Sequence, residues 1–146
     1  MTDKDLSFRM QIFIDAAAEE VWRSLTDPDQ LARWWDPVRS AEWRVGGSVV
    51  FDVGTEYKID CDVLEFDPPR RLVTTFDCDA YPEHPSTRVT WEIDPLDRGC
   101  LLRLVHDKFP STELGLHDVC QHWPTMIATL KGLIETDPVG AEKGLR

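Results

Sequence analysis

Only one group of residues in this sequence hints at metal binding or proton transfer, and these residues lie in the C-terminal third of the chain. They are three histidines, one aspartate and one cysteine: His106, His117, Asp118, Cys120 and His122. On a helix, His117 and His122 are five positions apart and point to different sides, whereas Asp118 and His122 are four apart and can pair on the surface. Zinc ligands must converge on one point. The spacing therefore argues against a metal site, and no cofactor is predicted.

His106 is the histidine best placed for acid–base chemistry. It alternates with Leu102 and Leu104 in a strand-like run, so its side chain is expected to face inward near the rim of any cavity. We interpret it as a hydrogen-bonded structural histidine, and the alternative is a catalytic role. The chain has no nucleophile elbow, no Ser or Cys with a His at a motif spacing, and no phosphate-binding glycine loop. We therefore assign no catalytic residue.

Tryptophan is unusually frequent, with six residues in 146. Its large ring and single N–H donor suit the lining of apolar pockets, although ordinary core packing is the alternative. Core packing is the interpretation we favour for Trp22, which falls on a helical apolar stripe. Trp34 and Trp35 are adjacent and cannot both point the same way. We predict that one of the pair faces a cavity or its mouth.

If the fold contains a cavity, eight side chains are candidates to line it and to contact a ligand. They are mostly aromatic: Trp34, Trp35, Phe51, Phe76, Trp91, His106, Trp123 and Met126. Met126 is unbranched and polarisable, so it could adapt the cavity to different ligands.

The elements that position these residues follow from hydrophobic periodicity. A strand over 8–14 leads into two short helices, the second with Asp27 as N-cap and Pro28 in its first turn. From 41 to 107 the pattern alternates, with turn signals at short intervals, which predicts a meandering antiparallel sheet. Within it, Glu42–Val45 and Ser48–Val53 are predicted to form a hairpin around two glycines. A helix is predicted over 113–135, and Pro124 either kinks it or marks its start.

This order of elements predicts an α+β helix-grip fold, in which a curved antiparallel sheet wraps around a long C-terminal helix and two short N-terminal helices close one end. The length of 146 residues fits one domain over 1–146, and residues 137–146 are expected to fray. Space left between sheet and helix would form an apolar cavity, which makes ligand binding the default hypothesis.

Charge and cysteine usage restrict the partners and the compartment. The net charge of −11 would repel a phosphate backbone, so we predict no nucleic-acid partner. No apolar run is long enough to span a bilayer, and the first residues lack a signal-peptide core, so we predict no membrane insertion. The four cysteines are scattered: Cys61, Cys78, Cys100 and Cys120. We expect them to be reduced and mostly buried, in a cytoplasmic protein.

Several segments together resemble one family. They are AAAEEVWRSLTDPDQLARWWDP, VGGSVVFDVG, DVLEFDPPRRLVTTF, VTWEI, GCLLRLVHDKF and HWPTMIATLKGLIE. With them, nearly the whole chain resembles the START-like (SRPBCC, Bet v allergen-like) superfamily, in particular the branch similar to the C-terminal domain of the activator of heat-shock-protein-90 ATPase.

The resemblance implies that the chain binds a small hydrophobic or amphipathic ligand between the sheet and the C-terminal helix. One alternative is an enzyme of the polyketide cyclase or aromatase type, in which His106, Tyr57 or Tyr81 would direct proton transfer. Another is a chaperone-linked or stress-response accessory protein that acts by protein–protein contact. A homodimer could form through an exposed tryptophan of the Trp34–Trp35 pair or through a free sheet edge.

Overall fold

Seven strands and three helices make up the part of the chain described by a computed structural model, which comprises residues 6–80, 86–109 and 120–136. In chain order they are β1 (Leu6–Ile14), α1 (Ala18–Thr26), α2 (Pro28–Trp34), β2 (Val38–Ala41), β3 (Ser48–Val53), β4 (Tyr57–Asp67), β5 (Arg71–Cys78), β6 (Thr87–Pro95), β7 (Cys100–Phe109) and α3 (Trp123–Thr136). The strands form one antiparallel sheet in the order β1-β7-β6-β5-β4-β3-β2. The predicted helix-grip fold is confirmed.

The sheet buries one face, because apolar residues occupy every second position of its central strands. In β6 the buried positions are Thr87, Val89, Trp91 and Ile93. In β7 they are Cys100, Leu102, Leu104 and His106, followed by Phe109. α3 contributes four buried side chains to the same core: Trp123, Ile127, Leu130 and Ile134.

The two short helices begin where the sequence predicts them. Asp27 accepts a hydrogen bond from the Asp29 backbone N–H at 3.0 Å, which caps α2, and Pro28 occupies its first position. In α1, Trp22 is half-buried and packs against Phe66 with ring centroids 5.6 Å apart. This contact fits the interpretation of Trp22 as a packing residue.

The hairpin prediction around the glycines is wrong in its first strand. β2 spans Val38–Ala41, and residues 42–47 connect it to β3. Gly46 N–H donates to the Val63 carbonyl at 3.0 Å and Val63 N–H donates to the Gly47 carbonyl at 2.9 Å, so the glycines bind β4. A Cβ on Gly47 would lie 2.4 Å from the Glu42 carbonyl oxygen. The glycine pair therefore marks a close backbone approach.

α3 begins at Trp123, and Pro124 occupies its second position, where no backbone donor is needed. Within the described residues, Pro124 therefore marks the start of α3. Near its other end, Lys131 Nζ donates to the Phe13 carbonyl at 2.8 Å and Glu135 accepts from the Asp15 backbone N–H at 2.8 Å. The predicted helical stretch 113–119, His117, Asp118 and the tail 137–146 lie outside the described residues.

Among the helices of the described ranges, none is long and apolar enough to cross a membrane. The four cysteines are free; Cys61, Cys100 and Cys120 are buried, whereas Cys78 is half-buried.

Candidate functional site

A cleft of about 270 Å³ lies between the sheet and the first turns of α3. Ten residues line it: Trp35, Asp36, Val53, Ile59, Phe76, Cys78, Ala80, His122, Trp123 and Met126. They come from the two residues that follow α2, from β3 and β4, from β5 and the connection after it, and from α3 with the residue before it. Because sheet side chains of period two meet a helical stripe there, the wall is almost entirely apolar.

Trp35 is the tryptophan of the pair that faces the cleft. It is half-buried and stacks on Phe51, with ring centroids 4.2 Å apart and planes inclined by 17°. It meets Trp123 edge to face at 5.3 Å and lies nearly parallel to Phe76 at 6.5 Å. Trp34 is buried, and its Nε1–H donates to the Ser24 carbonyl at 2.8 Å. Trp34 therefore packs α2 onto α1.

The eight side chains predicted to line a cavity divide into two layers. Four are on the wall: Trp35, Phe76, Trp123 and Met126. Four lie behind it: Trp34, Phe51, Trp91 and His106. Trp91 illustrates the second layer, because its ring meets Trp34 at 5.9 Å and Trp123 at 5.6 Å, both edge to face. The inner layer holds the rings of the wall in place.

His106 is completely buried and connects two residues of the wall. Its Nδ1 accepts the Trp123 Nε1–H at 3.1 Å, so the ring proton resides on Nε2. Nε2 donates to Thr87 Oγ1 at 2.7 Å, and the Thr87 hydroxyl donates to the Phe76 carbonyl at 3.2 Å. Burial lowers the pKa of His106 to about 3, so the ring is neutral at physiological pH. These contacts are those of a structural histidine.

Six residues of the wall were not predicted from the sequence: Asp36, Val53, Ile59, Cys78, Ala80 and His122. Val53 lies two residues after Phe51 on the same strand, so the period of β3 could have identified it. Asp36 directly follows the tryptophan pair, but a single carboxylate after a helix carries no distinctive pattern. Its burial in the wall raises the pKa of its carboxyl group.

The chemistry available on this wall is limited. Its ionisable groups are Asp36, the exposed imidazole of His122 and the thiol of Cys78, whose pKa is raised mainly by burial. Within the described ranges, no three His, Cys, Asp or Glu side chains are grouped so that they could hold a metal ion. Tyr57 is 44% exposed and not part of the wall, and Tyr81 lies outside the described residues. The arrangement suits an apolar molecule with one polar group.

A model of the family described as Activator of Hsp90 ATPase homolog 1-like protein matches residues 15–135. This match includes every element from α1 to β7 and nearly all of α3. Among curated proteins, no sequence matches the chain.

The fold is shared by solved structures, among them CalU16, the Aha1 dimer and DynU16. CalU16 from Micromonospora echinospora is 28% identical, with a TM-score of 0.72, over 92% of this chain and 76% of that one. The Aha1 dimer from Colwellia psychrerythraea is 19% identical, with a TM-score of 0.76, over 88% of this chain and 95% of that one. DynU16, a protein of the dynemicin biosynthetic locus, is 24% identical with a TM-score of 0.76; 89% of this chain aligns, spanning 47% of DynU16.

Proposed function

We propose that this chain, which belongs to the Activator of Hsp90 ATPase homolog 1-like protein family, binds a small hydrophobic or amphipathic molecule in the cleft. The family membership confirms the superfamily that the sequence indicated. The observation that carries this proposal is the apolar wall around a volume of about 270 Å³. Cavities lined by apolar and aromatic side chains with few polar groups are the usual form of small-molecule sites.

The size of the cleft limits the ligand. An apolar protein cavity of about 150 Å³ accommodates benzene. A volume of about 270 Å³ therefore holds a compound of two fused rings or a short branched chain, and the open side of the cleft lets a further ring or substituent protrude. Met126 on the helix side can change rotamer to fit either shape.

Binding is favoured over catalysis by where the polar side chains lie. A polyketide cyclase or aromatase needs polar groups that converge on the substrate. His106, the sequence candidate for that role, is behind the wall with both ring nitrogens hydrogen-bonded. Within the described wall, this leaves only Asp36, His122 and Cys78, and Cys78 is disfavoured as a thiolate.

Assembly and location form the remainder of the proposal. Since Trp34 is buried and Trp35 faces the cleft, a homodimer would use a free sheet edge, β1 or β2, instead of an exposed tryptophan.

Free, mostly buried thiols fit a reducing compartment, so we propose that the chain is cytoplasmic.

The test combines native mass spectrometry with titration of N-phenyl-1-naphthylamine, an uncharged apolar dye that fluoresces when bound. We expect either a stoichiometric adduct in the purified protein or saturable dye binding. Met126→Trp fills the cleft and should abolish both, whereas Ala128→Trp, which places the same side chain on the exposed face of α3, should retain them. An unmodified mass together with no dye binding would exclude the cleft as a ligand site and favour a protein partner.

A further inference from the structure

Asp36 is the one carboxylate on the described wall of the cleft, and it follows directly after Trp35. It is half-buried, and no other described side chain forms an ion pair or hydrogen bond with it. Burial that removes a carboxylate from water costs free energy, which a bound cation would recover. Asp36 therefore marks the position where a polar group of the ligand would be stabilised.

Carboxylates also surround Cys78 on the same wall. Beyond the effect of burial, the carboxylates of Asp79, Asp77 and Asp36 all raise the pKa of this thiol. An anion is thus disfavoured at this wall and a cation is favoured. No lysine or arginine is among the wall residues that the structure describes, and the whole chain carries a net charge of −11.

The aromatic rings of the cleft suit the rest of such a ligand. Trp35, Phe76 and Trp123 contribute ring surface within one cleft, with ring centroids 5.3 to 6.5 Å apart. These surfaces bind an apolar body and also attract a cation that lies over a ring face.

Resting on the proposed function of this cleft, we infer that its ligand is a hydrophobic amine, whose protonated nitrogen pairs with Asp36 while its apolar body packs against Trp35, Phe76 and Trp123. Binding involves no covalent step. The apolar wall selects ligands by their shape, and Asp36 selects those with a positive charge. An anionic amphiphile of the same shape is rejected by the same carboxylates.

The test uses three probes with one ring system and different head groups: 1-naphthylmethylamine, 1-naphthylmethanol and 1-naphthoate. We measure their affinities by isothermal titration calorimetry at pH 7.5. We expect the amine to bind about tenfold more tightly than the alcohol, because a charge-assisted hydrogen bond is added, and the carboxylate to bind most weakly. Asp36→Asn should reduce the amine to the affinity of the alcohol and leave the alcohol unchanged.

Asp62→Asn is the matched control, since it makes the same charge change on an exposed residue of β4 away from the cleft. It should retain the preference for the amine. Equal binding of amine and alcohol by the unmodified protein, or loss of the preference in both variants, would overturn the amine assignment while leaving the proposed function intact. Absence of binding by all three probes and by N-phenyl-1-naphthylamine would instead overturn the proposed function, and with it this inference.

Discussion

His106 shows how one buried side chain holds two walls of the cleft. Through Thr87 it reaches the Phe76 carbonyl on β5, and through Nδ1 it holds the indole of Trp123 on α3. Without His106, the buried Nε1–H of Trp123 would lose the acceptor it has here, which costs about 1–3 kcal/mol. The position of the Trp123 ring in the cleft therefore depends on a neutral imidazole.

The first prediction concerns the pH dependence of this arrangement. In the unfolded chain His106 titrates near its ordinary pKa of 6.5, whereas in the folded protein its pKa is lowered to about 3. Between these values the unfolded state binds the extra proton, so the contribution of His106 to stability is complete above pH 6.5 and falls as the pH drops toward 3. Between pH 7.5 and pH 5.0 we expect a loss of about 2 kcal/mol from this residue.

His106→Gln is the matched variant, because its amide can accept from Trp123 and donate to Thr87 but does not titrate. Urea unfolding of both proteins at pH 7.5 and pH 5.0 measures the difference. The variant should lose about 2 kcal/mol less than the unmodified protein over this interval. The same pH dependence in both proteins would refute a neutral, buried His106.

The second prediction separates the adjacent tryptophans by function. Trp34→Ala removes a buried ring and leaves the Ser24 carbonyl without its donor, so we expect a loss of about 3–5 kcal/mol in unfolding free energy. Trp35→Ala removes a half-buried ring of the wall and should cost less stability but weaken dye binding at least about tenfold. Urea unfolding and N-phenyl-1-naphthylamine titration test both variants; the opposite pattern would exchange their roles.

At the scale of elements, two glycines with opposite surroundings give the third prediction. A Cβ at Gly47 would lie 2.4 Å from the Glu42 carbonyl oxygen and 2.8 Å from its Cβ, so Gly47→Ala must displace the 42–47 connection. Gly132 in α3 has no atom within 4 Å of such a Cβ. We expect Gly47→Ala to destabilise by about 1–3 kcal/mol and Gly132→Ala to stabilise by about 0.5–1 kcal/mol. Thermal unfolding compares them, and equal effects would contradict the close approach at Gly47.

The long strands could be predicted from the sequence because each buries one face, and burial imposes an alternating pattern on the residues. β6 and β7 show it at nearly every position. β2 could not be found this way, since it is a short edge strand whose burial pattern does not alternate. The connection that follows contains Trp43 and Val45, which resemble a strand but serve a loop held to β4 by its glycines. Hydrophobic periodicity therefore shows which residues are buried, but it does not show which strands pair.

The candidate site was predictable only in part for a related reason. Trp91 and Phe76 both point to the buried face of the sheet, and their sequence patterns are equivalent. Only the positions of α2 and α3 over the curved sheet decide that Phe76 reaches the cleft while Trp91 lies beneath Trp123. The period of a strand thus predicts the direction in which a side chain points. Whether that side chain lies on the wall of the cleft or behind it depends on how elements distant in sequence pack together.

At the scale of the whole molecule, the cleft is where the helices and the sheet have not closed on each other. Its wall combines the residues that follow α2 with residues from three strands and from α3, which are far apart in sequence. A ligand that fills it would contact all of these elements at once. Binding should therefore stabilise the fold as a unit and should not act on one element alone.

The last prediction follows from this geometry. A ligand that binds only the folded state at one hundred times its dissociation constant adds about 2.7 kcal/mol to stability. For a chain of 146 residues we expect an increase of about 5–10 °C in Tm with saturating 1-naphthylmethylamine. Differential scanning calorimetry measures the shift, and Met126→Trp, whose new ring occupies the cleft, should show none. If the unmodified protein and Met126→Trp shift equally, the ligand binds elsewhere on the molecule, because only the filled cleft distinguishes the two proteins.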